Sequence, residues 1–531
     1  MRVRIAGRLL RRWCWLAWLI GPLVSGGQQV RYSPFLEDRQ EARFEFLGRS
    51  GAYYWVQKTR AQHEVPLPAP PWRSDARPVF EIFNQAMSPV AEVPSLPLAD
   101  TLLKEYWVCG DHRFDLLVLA AAGDSTRVLL RSYLPDGTLQ SDGAPLVSFP
   151  FRESGNNFLL ARSANRERQL LLAFQAVTDS APRLYALLFD QDWNLLSRAV
   201  YRNPLITQPY VQYEFFSGPL EAFDNSPLKL AGDGRWAMLT PGRRNRNYLL
   251  LRFTPGDTAL AWQPIRLSPS EAVEQVTLSL DEDHREWMTG ILSRYRYAAV
   301  KSVDVARCSL DRDTILFDSA YRFNTLRAAQ VRNQNLVEED FLPVPGRGFL
   351  LLKEYGKDYA SVFTDRESRD TLPDTTLLYQ NRIISADPVP PGVRLDRNEY
   401  TRFTSLAGPR NRYQRGDLSV FYFPAGPEDS SWSGLINQEQ TTEMNSARLS
   451  YLAVPLGGRT FFLYNRSLRS NQAFASTTVL DSLGHELEQE GIVFWNLRNT
   501  LAFQQARWIA PNEVAVPYSS LRRAGFAVIR F

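Results

Sequence analysis

The chain has 531 residues, of which 44% are hydrophobic and 22% are charged, values typical of a folded globular protein. This length exceeds the usual ~100 to 200 residues of one domain, so we expect either several domains or one large repeat array. The formal net charge is only +4, which argues against a cationic surface for nucleic acid.

The first 28 residues have the three-part layout of an export signal. Five Arg precede an apolar run from Trp13 to Val24, and the small residues at 25–27 follow it. The run is too short for an ordinary transmembrane helix, with a retained N-terminal anchor as the alternative. We predict a cleavable signal peptide over residues 1–28 and a periplasmic or extracellular protein. Without this segment the chain is close to neutral, so we do not expect it to bind nucleic acid. We also expect no membrane insertion after cleavage.

A repeated pattern of short apolar strands organises the rest of the chain. Its clearest copy runs from Arg168 to Tyr201 and reads as four strands, with a polar link and then a turn through Asp190, Asp192 and Asn194. Similar units recur every ~45 to 55 residues, the spacing expected of propeller blades. Gly, Asp or Arg separates the apolar runs in each unit, which is typical of hairpins.

The count of these units predicts the architecture. Further copies of the closing strand pair lie at 79–96, 127–149, 248–267, 303–323, 418–436 and 474–495. We therefore predict an all-β fold, a β-propeller of about eight four-stranded blades, with seven as the alternative. The last blade shows only three strands before Phe531, and an open final sheet would expose unpaired backbone groups. We expect the segment from Gln29 to Phe35 to supply the missing strand.

This arrangement resembles the secreted bacterial β-propellers of the WD-like and Kelch-like kind over nearly the whole mature chain. The chain has no Trp-Asp blade signature and no Kelch glycine pair, so the resemblance implies a fold and transfers no functional residue. A single propeller domain is predicted over residues 29–531. Residues 357–416 break the period within the sixth blade, and we interpret them as an insertion that is either a functional lid or a solvated excursion.

The usual catalytic and metal-binding motifs are missing from the sequence. It has no Gly-x-Ser-x-Gly elbow, His-Glu-x-x-His pair or phosphate loop, and its four His are spread over four blades. Asp190 and Asp192 imitate the start of a calcium loop, but Leu195 stands where that loop requires Gly. We expect these Asp to be turn residues, Cys109 and Cys308 to be separate buried thiols, and the protein to use no metal or cofactor.

Two sets of connections within the blades differ in charge. The link from second to third strand and the turn from third to fourth strand lie on opposite faces of a propeller. The turns are rich in Asp, which predicts an acidic face. The links are rich in Arg, which predicts a basic face, and the candidate binding residues among them are Arg243, Arg244, Arg246, Arg294, Arg296, Arg466, Arg469, Arg522 and Arg523.

Connections between blades lie on the same face as these Arg, and one of them contains Tyr210 and Tyr213. Arg binds carboxylates and phosphates in a bidentate manner, and aromatic faces stack on sugars. We predict a binding or scaffolding module, rather than an enzyme, for an anionic glycan or an envelope protein. The alternatives are a polysaccharide hydrolase or lyase acting at the central channel, and an outer-membrane β-barrel, suggested by the last strand. Ordinary solvated Arg would explain the same pattern without a ligand.

Overall fold

The computed structural model of the chain describes residues 29–34, 36–37, 42–60, 79–94, 102–153, 157–176, 182–202, 227–241, 247–257, 259–266, 271–295, 300–311, 314–322, 335–361, 377–379, 382–385, 410–438, 440–442, 451–466, 474–487, 500–503, 506–510, 512–520 and 523–531. Regular structure within these ranges consists of β-strands. The predicted signal peptide, residues 1–28, lies outside them.

The strands of the first half form four complete antiparallel sheets after two short N-terminal strands. The N-terminal strands are β1 (Gln29–Tyr32) and β2 (Leu36–Glu37). Blade 1 consists of β3 (Ala42–Ser50), β4 (Tyr53–Arg60), β5 (Val79–Phe83) and β6 (Pro89–Pro94), and blade 2 of β7 (Leu102–Cys109), β8 (Phe114–Ala122), β9 (Ser125–Tyr133) and β10 (Leu139–Phe149). Blade 3 consists of β11 (Phe158–Arg162), β12 (Arg168–Gln175), β13 (Arg183–Asp190) and β14 (Leu195–Arg202), and blade 4 of β15 (Leu228–Leu230), β16 (Trp236–Pro241), β17 (Asn247–Phe253) and β18 (Ala261–Arg266).

Four more sheets follow, and the sixth is the most elaborate. Blade 5 consists of β19 (Glu271–Asp281), β20 (Glu286–Tyr295), β21 (Val300–Ser309) and β22 (Ile315–Arg322). Blade 6 consists of β23 (Asn335–Val344), β24 (Gly348–Ser361), β27 (Arg410–Pro424) and β28 (Trp432–Ile436), with β25 (Leu377–Tyr379) and β26 (Arg382–Ser385) between β24 and β27 and with β29 (Gln440–Thr442) paired to β27. Blade 7 consists of β30 (Tyr451–Leu456), β31 (Arg459–Arg466), β32 (Phe474–Leu480) and β33 (Glu486–Leu487), and blade 8 contains β34 (Thr500–Leu501), β35 (Arg507–Ala510), β36 (Glu513–Ser520) and β37 (Arg523–Arg530).

The blades stand side by side around an axis, with the first strand of each blade innermost. First strands of neighbouring blades contact one another in blades 1 and 2 and from blade 3 through blade 7, and β3 of blade 1 contacts β35 of blade 8. The inner strands of blade 3 are buried on both faces. Leu170 and Leu172 of β12 pack with Trp236 of blade 4, whereas Leu171 on the other face packs with Leu117 of blade 2. The described strands thus confirm the predicted propeller and give it eight blades.

The N-terminal strand closes the ring, as predicted. β1 pairs antiparallel with β37, from Gln29 opposite Arg530 to Tyr32 opposite Ala527, and so becomes the fourth strand of blade 8. Ser33 continues the contact, because its carbonyl accepts a hydrogen bond from the Tyr518 hydroxyl at 2.6 Å. One detail of the sequence interpretation is wrong. The stretch from Arg168 contains three strands, β12 to β14, and the first strand of that blade, β11, precedes it.

Blade 6 carries the segment that breaks the repeat. β24 and β27 pair along their full lengths, out to Ser361 opposite Arg410, so both ends of the predicted 357–416 insertion are strand. The short hairpin of β25 and β26 lies within the segment. The remainder of the insertion, residues 362–376, 380–381 and 386–409, lies outside the described ranges.

Candidate functional site

The two faces of the propeller differ in the length of their connections. Turns between first and second strands and between third and fourth strands lie on one face, which we call the turn face. They are short in blades 1 to 7, and blade 8 has only the first of them because β1 is its fourth strand. The opposite face, which we call the link face, receives the second-to-third links and the links between blades. The long connections all begin and end there, at 61–78, 203–227, 323–334, 362–409, 437–450 and 488–499.

Neighbouring turns on the turn face touch one another. A Cβ built on Gly51 would lie 3.0 Å from the Asp111 carbonyl oxygen of the next blade, and one on Gly232 would lie 2.6 Å from Asn165 Nδ2. The Gly232 amide also donates to Glu282 Oε1 of blade 5 at 2.9 Å. These contacts leave little room for a ligand between the turns, because an added methyl group would already clash.

Arg166 spans the mouth of the channel on the turn face. It lies in the first turn of blade 3, its Nη2 donates to the Ile509 carbonyl of blade 8 at 3.2 Å, and its Nη1 lies 3.4 Å from Asp111 Oδ1 of blade 2. Blades 1 and 2 separate blade 3 from blade 8 around the ring, so the bond to Ile509 crosses part of the opening. Access to the channel is therefore restricted on this face.

Some acidic residues of the turn face are paired, because Arg from the turns between first and second strands lies beside Asp from the turns between third and fourth strands. Asp311 of blade 5 accepts hydrogen bonds from Arg285 at 2.7 and 2.8 Å and from Arg235 of blade 4. The Arg285 bonds first, and then the Arg235 bond, hold the pKa of the Asp311 carboxyl well below its usual range. Comparable pairs join Arg113 to Asp192 and Arg347 to Asp429.

Several acidic turn residues bond their own backbone, as the sequence predicts. Asp190 Oδ1 accepts from the amides of Asp192 at 2.8 Å and Asn194 at 2.9 Å. Asp481 Oδ1 accepts from the amides of Leu483 and His485, each at 2.8 Å, and these bonds lower the pKa of Asp481. A carboxylate that satisfies turn amides in this way is a turn former. Asp311 differs from these two residues, since its oxygens bind Arg side chains.

The thiols and histidines that the sequence singles out lie apart. Cys109 in blade 2 and Cys308 in blade 5 are buried thiols that form no disulfide, and burial raises the pKa of the Cys308 thiol to about 11. His284 and His485 are exposed turn residues whose rings lie beside Asp281 and Asp481. In the described part of the chain, no group of three or more His, Cys, Asp or Glu could hold a metal ion.

The candidate binding residues on the link face are placed only in part. Arg294, Arg466 and Arg523 belong to the link-face ends of β20, β31 and β37, and their side chains are outside the described structure. The others lie in connections outside the described residues, which are Tyr210, Tyr213, Arg243, Arg244, Arg246, Arg296, Arg469 and Arg522.

Titratable side chains on the innermost strands bear on the enzymatic alternative. Glu105 of β7 has a raised pKa because it is buried, although Arg131 partly opposes that effect. Burial also lowers the pKa of Lys104, its neighbour, to about 8. Asp340 of β23 accepts a hydrogen bond from the Tyr451 hydroxyl at 2.8 Å. Glu105 belongs to blade 2 and Asp340 to blade 6, across the ring, so these two carboxyls do not form a close catalytic pair.

Sequence reasoning missed a buried polar cluster where blade 6 meets the link face. Glu354, Arg415, Gln438 and Gln440 are each at most 2% exposed, and Gln438 Nε2 donates to Glu354 Oε1 at 2.7 Å. The signal in the sequence was weak, since charged residues in an otherwise apolar strand such as LLLKEY also suit an exposed strand end. Their position at the root of the period-breaking segment was the available clue.

Comparisons with known proteins place the chain in no family. No family model matches the chain, and no curated protein matches it. The chain is similar to the β-propeller domain of the Trilobed protease from Pyrococcus furiosus, with a TM-score of 0.33, 6% identity and coverage of 86% of this chain and 97% of that one. A prolyl endopeptidase matches with a TM-score of 0.35 and 11% identity over 91% of this chain and 46% of that one. Scores this low carry no argument about function.

A helix that could cross a bilayer is not found among the described residues.

Proposed function

We propose that the protein is a binding or scaffolding module that holds an anionic partner, either an acidic glycan or an acidic patch of an envelope protein, on its link face. The observation that carries this proposal is the contrast between the two faces. Short turns pack against each other on the turn face, and Arg there is paired with Asp. Every long connection belongs to the link face, which is the usual location of binding residues on a rigid scaffold.

Charge supports an anionic partner. Guanidinium groups of the turn face, such as those of Arg235 and Arg285, are matched by Asp311 and Asp233. The link-face connections contain the consecutive cationic residues Arg243 and Arg244, followed by Arg246. An Arg-rich connection beside aromatic residues suits carboxylate or sulfate groups on a sugar chain.

The test is a charge-matched pair of triple variants. Replacement of Arg243, Arg244 and Arg246 with Ser should weaken binding to polygalacturonate at low salt roughly tenfold, since exposed ion pairs each contribute up to about 1 kcal/mol. Isothermal calorimetry, with neutral dextran as a second ligand, measures this.

The control variant replaces Arg31, Arg198 and Arg459, which are exposed and lie away from the link-face connections. It has the same net charge as the test variant and should bind polygalacturonate like the wild type. Equal loss of affinity in both variants would mean that only net charge matters, and the proposal would then be wrong.

A polysaccharide hydrolase or lyase is the second candidate, and one observation favours it. Glu105 combines a raised pKa with a place on an innermost strand, and a raised pKa is a property that general acids share. New reducing ends or unsaturated ends should then accumulate during long incubation with polygalacturonate, and Glu105→Gln should abolish them. A wild-type protein that binds the polymer and leaves its length distribution unchanged would exclude this candidate for that substrate.

We also propose that the protein is exported. Removal of residues 1–28 would leave Gln29, the first residue of β1, at the new N-terminus. The intact mass of the protein recovered from the envelope and the medium tests both the compartment and the cleavage position.

A further inference from the structure

Blade 6 continues beyond its neighbouring strands as a narrow extension on the link face. β24 and β27 remain paired as far as Ser361 opposite Arg410, whereas β28 pairs with β27 only between Leu418 and Tyr422. β29 then takes the place of β28 beside β27. We call this three-stranded extension, residues 357–361, 410–415 and 440–442, the arm. The chain enters and leaves residues 362–409 through it.

The register of the hairpin is broken where the arm begins. Glu354 lies opposite Leu418, but Gly356 lies opposite Arg415, so one residue of β24 faces two residues of β27. A bulge of this kind bends a strand pair and increases its twist. This point is therefore the natural hinge between the arm and the rest of the blade.

A buried polar cluster bridges the hinge. Arg415 Nε lies 3.5 Å from Glu354 Oε2, and the two residues flank the bulge on opposite strands. Gln438 Nε2 donates to Glu354 Oε1 at 2.7 Å, and Gln440 Nε2 lies 3.4 Å from Gln438 Oε1. The four side chains tie β24, β27 and the start of β29 together at the base of the arm.

The chemistry of this cluster suits orientation better than stability. Desolvation offsets much of the attraction within a buried ion pair, so apolar residues of similar volume often stabilise a protein as well or better. Apolar neighbours are available here, since Leu418 and Ile436 belong to the core between blades 6 and 7. Hydrogen-bonded charges, unlike apolar groups, accept few relative positions, because displacement leaves a buried charge without its partner.

We propose that Glu354, Arg415, Gln438 and Gln440 form an orientation lock, which holds the arm in one direction over the link face as a preformed contact element for the partner. The purpose of the lock rests on the proposed function, but its geometry does not. Preorganisation matters for affinity because a binding element that is already ordered loses less conformational freedom when the partner binds.

The test is hydrogen exchange with mass spectrometry on two variants of the full chain. Glu354→Leu combined with Arg415→Met replaces the ion pair by apolar side chains, and Glu354→Gln removes one charge only. In both variants the amides of 357–361 and 410–414 should exchange ~10-fold faster or more, while those of blades 1 to 4 exchange as in the wild type. Glu513→Gln is the matched control, because Glu513 is a buried carboxylate paired with Arg49 between blades 8 and 1, and it should leave exchange in the arm unchanged.

Unchanged exchange in the arm of the double variant would overturn the lock, and so would equal acceleration in the arm and in blades 1 to 4, since that describes a general loss of stability. Binding to polygalacturonate then tests the purpose separately. The lock predicts ~5-fold weaker binding in the double variant. Faster exchange in the arm with unchanged binding would support the lock and count against a role of the arm in binding.

Discussion

Single buried carboxylates join one blade to the next, and Asp115 shows how. This residue of β8 is 1% exposed. Its Oδ1 accepts a hydrogen bond from Ser132 at 2.6 Å, and its Oδ2 accepts from Trp193 Nε1 and from Arg113 Nε, each at 2.8 Å. Trp193 lies in the turn between the third and fourth strands of blade 3, so the carboxylate holds a turn of the neighbouring blade against blade 2.

Replacement of Asp115 should therefore destabilise the protein strongly. Asp115→Ala leaves the Trp193 indole and the Arg113 guanidinium without their buried acceptor, and we expect a loss of about 2–4 kcal/mol in the free energy of unfolding. Urea denaturation followed by circular dichroism measures it. Asp192→Ala is the control on the same Arg113, because Asp192 is largely exposed, and it should cost less than about 1 kcal/mol. Similar losses in the two variants would contradict this account.

At the scale of the elements, hairpin pairs were predictable because turn residues punctuate the apolar runs. The turns beginning at Asp190 and Asp481 are formed by local hydrogen bonds, so their sequences alone identify them. The number of strands in the stretch from Arg168 was harder to predict. Leu170 to Phe174 are all buried, because β12 packs against a blade on each side, and a strand with two buried faces shows no alternation to mark its limits.

The candidate site was predictable only in outline. The sequence indicates which connections are long and which contain Arg, and the structure places the ends of those connections on one face. The sequence does not indicate that Arg235 and Asp311, which are 76 positions apart, meet between two blades. Charge on a face depends on both kinds of connection that belong to it, and pairs formed between blades depend on the closed ring. The orientation lock could not be predicted from the sequence for the same reason, because its residues come from three separate segments.

At the scale of the whole molecule, contacts across the axis add to those between adjacent blades. The bond from Arg166 to the Ile509 carbonyl joins blades 3 and 8, whereas most contacts between blades join immediate neighbours. Hydrogen bonds to charged groups typically contribute about 1.5–3 kcal/mol, so the loss of this bond should have a measurable effect on blade 8, which is far from Arg166 in the sequence.

Arg166→Met should increase hydrogen exchange in β35, the innermost strand of blade 8, because that strand loses a charged donor that reaches it across part of the opening. Exchange in β20 should stay as it is, because blade 5 is adjacent to neither blade 3 nor blade 8. The comparison variant is Arg459→Met, which alters an exposed Arg in the first turn of blade 7. Unaltered exchange in β35 would show that the bond across the opening contributes nothing.

The pairing of β1 with β37 also orders events in time. Gln29 and Arg530 are neighbours in one sheet although almost the whole chain separates them, and such distant pairs form late because the intervening chain must first be brought together. While β37 is still being synthesised, β1 has no partner strand with which to pair. β1, the most N-terminal of the described strands, therefore pairs late, and its edge groups stay unpaired until β37 is available.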